Sequence, residues 1–186
     1  GGDGGGSGAL DATAVPPDAD PRAPDADPFA AAGTPFTACD PETSSDIEGP
    51  FYRAGAPESA VLVDAGDPGV RLLLTGKVLA PMGGACLALA GATLDVWHAD
   101  DAGAYDAVGY QFRGVVHTDA EGNYTLSSIV PGRYLNGAQY RPAHVHVKAS
   151  ATGTQLLTTQ LYFEGDPFNA GDPWFQEALM LRLAAS

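Results

Sequence analysis

Six stretches rich in apolar and β-branched residues dominate residues 70–165 and limit the architectures open to this chain. They read VRLLLTGKVLA (70–80), ATLDVWHAD (92–100), FRGVVHTD (112–119), NYTLSSIV (123–130), AHVHVKAS (143–150) and QLLTTQLYFEG (155–165). PMGG, DDAG, DAEGN, VPGRY and ATGT punctuate them. Strand-length runs roughly every 10–20 residues, parted by such turns, predict an antiparallel β-sandwich or barrel. Within ATLDVWHAD, Leu94 and Val96 alternate inward against Asp95 and Trp97. The spacing of Phe175, Leu179 and Leu183 in PWFQEALMLRL (173–183) predicts one short C-terminal helix, opened by Asp172-Pro173.

Residues 1–38 have a different texture. They are Gly, Ala, Asp and Pro with few large apolar side chains. Such a segment cannot bury enough surface to offset the entropy of ordering, and it reads as a disordered, flexible tether. The folded domain is then expected over 39–186. A start of this composition also fits the region that follows a lipidated cysteine or a cleaved export signal. No run of about 18 apolar residues is present, so no membrane-spanning helix is expected. Lys and Arg total 9 against 23 Asp and Glu, a net charge of −14. That balance repels nucleic acid and anionic lipid and leaves a small molecule or a protein as partner.

Two of the four histidines fall in RPAHVHVK (141–148). On a strand, residues i and i+2 share a face, roughly 6–7 Å apart at Cα. Val145 and Val147 would face the core while His144 and His146 face one pocket, as two cis donors to one metal. A wet strand face is the bland alternative, since His-x-His also arises by chance. His98 and His117 form no second pair and read as surface or hydrogen-bonded residues. Carboxylates and tyrosines are the other donors available. A phenol, with an ordinary pKa of about 10, binds metal as the anion and needs a strong Lewis acid such as Fe(III). Tyr105 in WHADDAGAYD and Tyr134 in VPGRYLNG stand in turns at strand ends, where sites form. Trp97 and Trp174 read as core, and Asp100-Asp101 as a turn. Cys39 and Cys86 belong to no CxxC, and their count alone leaves two buried thiols and one disulfide equally open.

IEGPFY (47–52), GATLDVWHADDAGAY (91–105), FRGVVHTDAEGNYTLSSIVPGRY (112–134), RPAHVHVK (141–148) and TTQLYFEGDP (158–167) follow one another in a characteristic order. In these motifs, from Ile47 to Asp166, the sequence resembles the intradiol ring-cleavage dioxygenases, the protocatechuate 3,4-dioxygenase and catechol 1,2-dioxygenase superfamily. The resemblance implies a prealbumin-like sandwich holding non-haem Fe(III) on Tyr105, Tyr134, His144 and His146. Tyr105 and His144 would stay bound. Tyr134 and His146 would be the axial pair, with Tyr134 released when substrate binds. Arg141 would act beside the substrate, and Gln160 would line the same pocket. Tyr52 and Tyr110 are expected at its mouth. The reaction implied is cleavage of a catechol-type ring by O2, between the hydroxyl-bearing carbons, to a cis,cis-muconate-type product.

Exported relatives in this family carry cysteines at the places of Cys39 and Cys86, which implies a disulfide and a periplasmic, secreted or lipid-anchored protein rather than a cytoplasmic one. The family assembles in different ways, so a homo-oligomer is compatible with it. The segment LNGAQYRPA (135–143) is shorter here than in protocatechuate enzymes. Two competing readings are a non-catalytic transthyretin-like module on the same scaffold, and Zn2+ or Cu2+ held by His144, His146 and a carboxylate.

Overall fold

The computed structural model describes residues 11–15, 39, 42–83 and 85–184. Five of the six expected stretches give one strand each: β5 (Thr93–His98), β6 (Arg113–His117), β7 (Asn123–Ile129), β10 (His144–Ser150) and β11 (Leu157–Phe163). The first divides into β2 (Arg71–Lys77) and β3 (Leu79–Met82). β3 runs through Pro81 and pairs only with β4 (Ala85–Ala88). Pro is tolerated there because a two-stranded ribbon leaves one side of each strand free of ladder bonds. A short hairpin of β8 (Tyr134–Asn136) and β9 (Gln139–Arg141) precedes β10.

The remaining strands are β1 (Asp11–Val15) and β12 (Met180–Ala184). They complete an eight-stranded sheet in the order β6-β5-β10-β11-β12-β1-β2-β7. Its pairs are antiparallel except those of β12, which runs parallel to both β11 and β1. The ribbon folds over on itself. Leu72 and Leu74 of β2 and Leu126 of β7 share one core with Leu94, Val96, Val116, Val145, Val147 and Leu161. Each such side chain is worth about 1.5–3 kcal/mol of burial. The architecture is therefore an all-β sandwich with almost no helix.

Two expectations change. The predicted C-terminal helix does not form. Glu177–Leu179 is a single 3-10 turn, and the chain then pairs as β12 beside β11. The period of 2 that buries Leu179 and Leu181 prevails over the four-residue spacing, because the open edge of β11 supplies the hydrogen bonds. Within the expected tether, Asp11–Val15 pairs with β2 and β12. The other residues of 1–38 lie outside those described.

The covering of the outer face of β10 and β11 positions the site. Cys39 and Cys86 are joined by a disulfide, with Cα atoms 5.3 Å apart. Beyond it, residues 42–52 run across β11. Asp46 N–H donates to Thr158 O (2.9 Å) and Gln160 Nε2, on the outer face, to Ile47 O (2.8 Å), while the Thr159 hydroxyl, on the Val147 side of β11, donates to Ser44 O (2.8 Å).

Candidate functional site

The register of the sheet aligns the outer-face residues in rows. His146 lies opposite Trp97 on β5 and Gln160 on β11, and His144 lies opposite Tyr162. Val145 and Val147 point the other way into the core. The two imidazoles are 1–2% exposed. Trp97 stacks on His146 with ring centroids 4.7 Å apart and planes within 5°, which fixes that ring's plane. His144 Nδ1 lies 2.7 Å from Pro142 O, to which it donates, so its Nε2 presents a lone pair. His146 Nδ1 is buried with no hydrogen-bond partner among the described residues.

Two turns deliver the tyrosines together. Gly132 of VPGRY donates its N–H to Asp100 O at 2.7 Å. A Cβ at Gly132 would fall 2.4 Å from Asp101 O, so only glycine lets the two loops meet. In consequence the Tyr105 and Tyr134 rings are 5.7 Å apart. Tyr105 Oη lies 3.3 Å from His144 Nε2 and 3.2 Å from His146 Nε2. The Tyr134 ring is 5.7 Å from His144. Phe51 closes this side, stacked 4.2 Å from Tyr105 and edge-on to Tyr134. Gly49, at φ +70°, lets the IEGPFY turn approach His146, where a Cβ would be 3.4 Å from the ring.

Burial keeps both histidines and Tyr105 uncharged. Burial, then the charge of Arg141, holds His144 down to about 3. Burial, then His144, holds His146 well below the usual imidazole range. Both are thus neutral, the form that can coordinate a metal. Burial, then Tyr134, pushes the Tyr105 phenol far above its ordinary value. A phenolate there calls for a cation beside it. Arg141, 3% exposed, points Nη1 at His144 Nε2 (3.5 Å) and Nη2 at Gln160 Oε1 (3.0 Å).

Tyr105, Tyr134, Arg141, His144, His146 and Gln160 therefore meet in one cluster. Among the described residues, no three His, Cys, Asp or Glu side chains come together as a metal group. The side chains that face the histidine pair are instead the phenols of Tyr105 and Tyr134. Tyr52 and Tyr110, expected at the substrate mouth, make no hydrogen bond or ring contact with the cluster. Tyr52 lies beyond Trp97, donates to Asp95 at 2.9 Å, and is pushed up to about 12 by burial and then by Asp95. Tyr110 donates to Ala54 O, with Arg53 over its ring. His98 is buried between Ser128 and Ala99 O, and His117 pairs with Glu58 at the surface. A cavity of about 810 Å³ opens beside Leu94, Tyr124 and Val147, and none of the cluster lines it.

Sequence reasoning missed Asp46 and Phe51, gave Tyr162 as a core or pocket-wall residue and Trp174 as core, and read Asp172 as a helix cap. Tyr162 donates to Asp46 (2.8 Å) and receives Arg141 Nη2 (3.3 Å). Asp172 pairs with Arg141, and Trp174 covers the guanidinium. The available signal was the repeated Gly-Asp-Pro at 165–167 and 171–173.

The family described as Dioxygenase matches residues 47–185. Catechol 1,2-dioxygenase 2 of Acinetobacter lwoffii is 38% identical over 148 residues, covering 68% of this chain and 53% of that protein. Chlorocatechol 1,2-dioxygenase of Rhodococcus opacus is 35% identical over 156 residues, covering 70% and 60%. The chain thus spans little more than half the length of these relatives. Among solved structures, the dioxygenase domain of a dioxygenase–carbohydrate-binding protein fusion from Streptomyces sp. SirexAA-E superposes with a TM-score of 0.69 at 43% identity, covering 77% of this chain and 89% of that one. Catechol 1,2-dioxygenase from Pseudomonas arvilla C-1 gives 0.67 at 37% identity, covering 74% and 52%. Family model, fold and relatives agree, and the chain belongs to the intradiol ring-cleavage dioxygenase family.

Proposed function

We propose that this chain is the catalytic domain of a non-haem Fe(III) intradiol dioxygenase acting on a catechol-type ring with O2. The observation that carries the reading is the convergence of Tyr105 Oη on both His144 Nε2 and His146 Nε2, within 3.3 Å, beside Tyr134. Two neutral imidazoles and two phenols make a donor set suited to a ferric ion, because phenolate is stabilised only by a strong Lewis acid. Tyr105, Tyr134, His144 and His146 would hold that ion. When bound, it supplies the Lewis acidity that ionises a catechol and draws electron density from its ring.

The protein's own groups then have separate tasks. Tyr134 Oη, as phenolate, takes a proton from one substrate hydroxyl, so that the substrate carries the negative charge. Arg141 Nη1 donates toward the oxygen on which charge develops, from a buried position where a donor acts strongly. Trp97 and His146 lock each other's ring planes and keep the donor geometry preformed. Phe51 covers the tyrosines and limits water on that side. The product is a cis,cis-muconate-type diacid. The relatives named for catechol and chlorocatechol support this substrate class.

Colour and gas uptake test the reading. Iron-loaded protein should be burgundy to red-brown from ferric tyrosinate, and should consume O2 with catechol, hydroxyquinol, protocatechuate or chlorinated catechols. A protein that stays colourless after iron is supplied would sink it. Export is part of the same proposal, supported by the Cys39–Cys86 disulfide, which persists in oxidising compartments. Two free thiols in the intact protein, weighed by mass spectrometry without reductant, would count against export.

A further inference from the structure

Asp172 has no part in the mechanism above, yet its side chain is fully enclosed beside the site. A buried carboxylate must be partnered. Its Oδ2 accepts two hydrogen bonds from Arg141, from Nε at 3.0 Å and from Nη2 at 2.8 Å. Its Oδ1 accepts the backbone N–H of Trp174 at 3.1 Å, which holds the carboxylate in place. The Trp174 ring lies over the guanidinium at 4.7 Å. Gln160 Oε1 and the Tyr162 hydroxyl share Nη2 at 3.0 and 3.3 Å.

A guanidinium carries five N–H groups in a rigid planar fork. Here the edge formed by Nε and Nη2 is committed to Asp172, Gln160 and Tyr162. Nη1 is left toward the donor cluster, 3.5 Å from His144 Nε2. We propose that Asp172 is a positioning residue: it sets the rotation of the Arg141 guanidinium so that Nη1 faces the bound substrate. The proposal rests on the intradiol reading of the site. The pair also has no net charge, so Arg141 acts as a directed donor rather than as a free cation. A donor aimed before the reaction needs no reorganisation during it.

The neighbouring Gly-Asp-Pro acts in parallel. Asp166 Oδ2 accepts from Arg133 Nε at 2.8 Å and from Ala143 N at 3.1 Å. One tripeptide thus holds the chain next to Tyr134 and His144, and the other holds Arg141 between them.

The test uses Asp172→Asn in the full chain. Iron-loaded D172N should keep the ferric tyrosinate band. Its kcat should fall about tenfold or more, as misplacement by a fraction of an ångström allows, with KM within about threefold. In an Arg141→Ala background the same substitution should add less than about twofold, because its effect passes through Arg141. A second readout needs neither metal nor substrate. In 15N-labelled metal-free protein, the Arg141 Nε–H should be protected from exchange, and D172N should abolish that protection while β10 and β11 amides stay protected. Should D172N not fold, Asp172→Glu, which keeps the charge paired but displaces the fork, carries the same comparison. Three results would each overturn the proposal: kcat within twofold of the parent, an equal loss in the Arg141→Ala background, or unchanged Nε–H protection. Parent protein without band or O2 uptake would defeat the intradiol reading, and the exchange comparison would still decide for or against the clamp.

Discussion

On its inner face β10 sets Val145 and Val147 among Leu94, Leu126 and Leu161; on its outer face it sets His144 and His146 among Tyr105, Arg141, Gln160 and Trp97. Both faces are dry. The inner one needs only matching volume, since apolar burial is not directional. The outer one buries groups that must each find a partner, so it is built from segments that reach it from far along the chain. Residues 42–52 come from the segment between β1 and β2, and 166–174 from after β11. The comparison teaches that stability and chemistry are held by opposite sides of one strand and can be perturbed separately.

Four experiments press on that separation. Replacing His146 with Ala should have the largest effect: visible absorbance lost and turnover down by on the order of a thousandfold, about 4 kcal/mol in the barrier. Retained colour in iron-loaded H146A would break the assignment of the outer face. Leu161→Ala on the inner face should cost about 2–5 kcal/mol in urea unfolding, while the folded fraction keeps its band and kcat. A lost band would mean that the faces are coupled.

The third experiment is a pH series on metal-free protein. Burial holds His98 down to about 4, against an ordinary 6.5. With the folded pKa the lower one, its contribution is whole above pH 6.5 and is lost as pH falls toward 4, by about 3 kcal/mol. Comparison with His98→Gln isolates it, and parallel stability curves for the two proteins would refute it. The smallest effect belongs to Thr159→Val, which removes the bond to Ser44 O and should cost about 1 kcal/mol. Hydrogen exchange should rise first in residues 44–47; uniform change across the sandwich would argue against a separately held cover.

How legible this was in the sequence follows the same division. The inner face was readable, because alternation in HVHV and TLDV reports burial directly. The pairing of Tyr105 with His146, 41 residues apart, follows from two turns meeting and was reached only through family resemblance. Asp172 was read as a helix cap, since local spacing cannot reveal that the edge of β11 captures the segment as a strand. The bond from Tyr162 to Asp46 was missed for a related reason: a hydrogen bond spanning 116 residues leaves no local pattern.

The two Gly-Asp-Pro tripeptides act as a ruler. Three residues, Phe168, Asn169 and Ala170, separate them, and by composition this stretch looks open to insertion. Yet both aspartates are already engaged at fixed points, Asp166 at Arg133 and Ala143, Asp172 at Arg141. One residue more or less would put the two marks out of register with the hairpin they measure. The exposed tip of that hairpin, Gly137-Ala138, has no such constraint. Length can therefore drift between β8 and β9, and is held fixed between the two tripeptides.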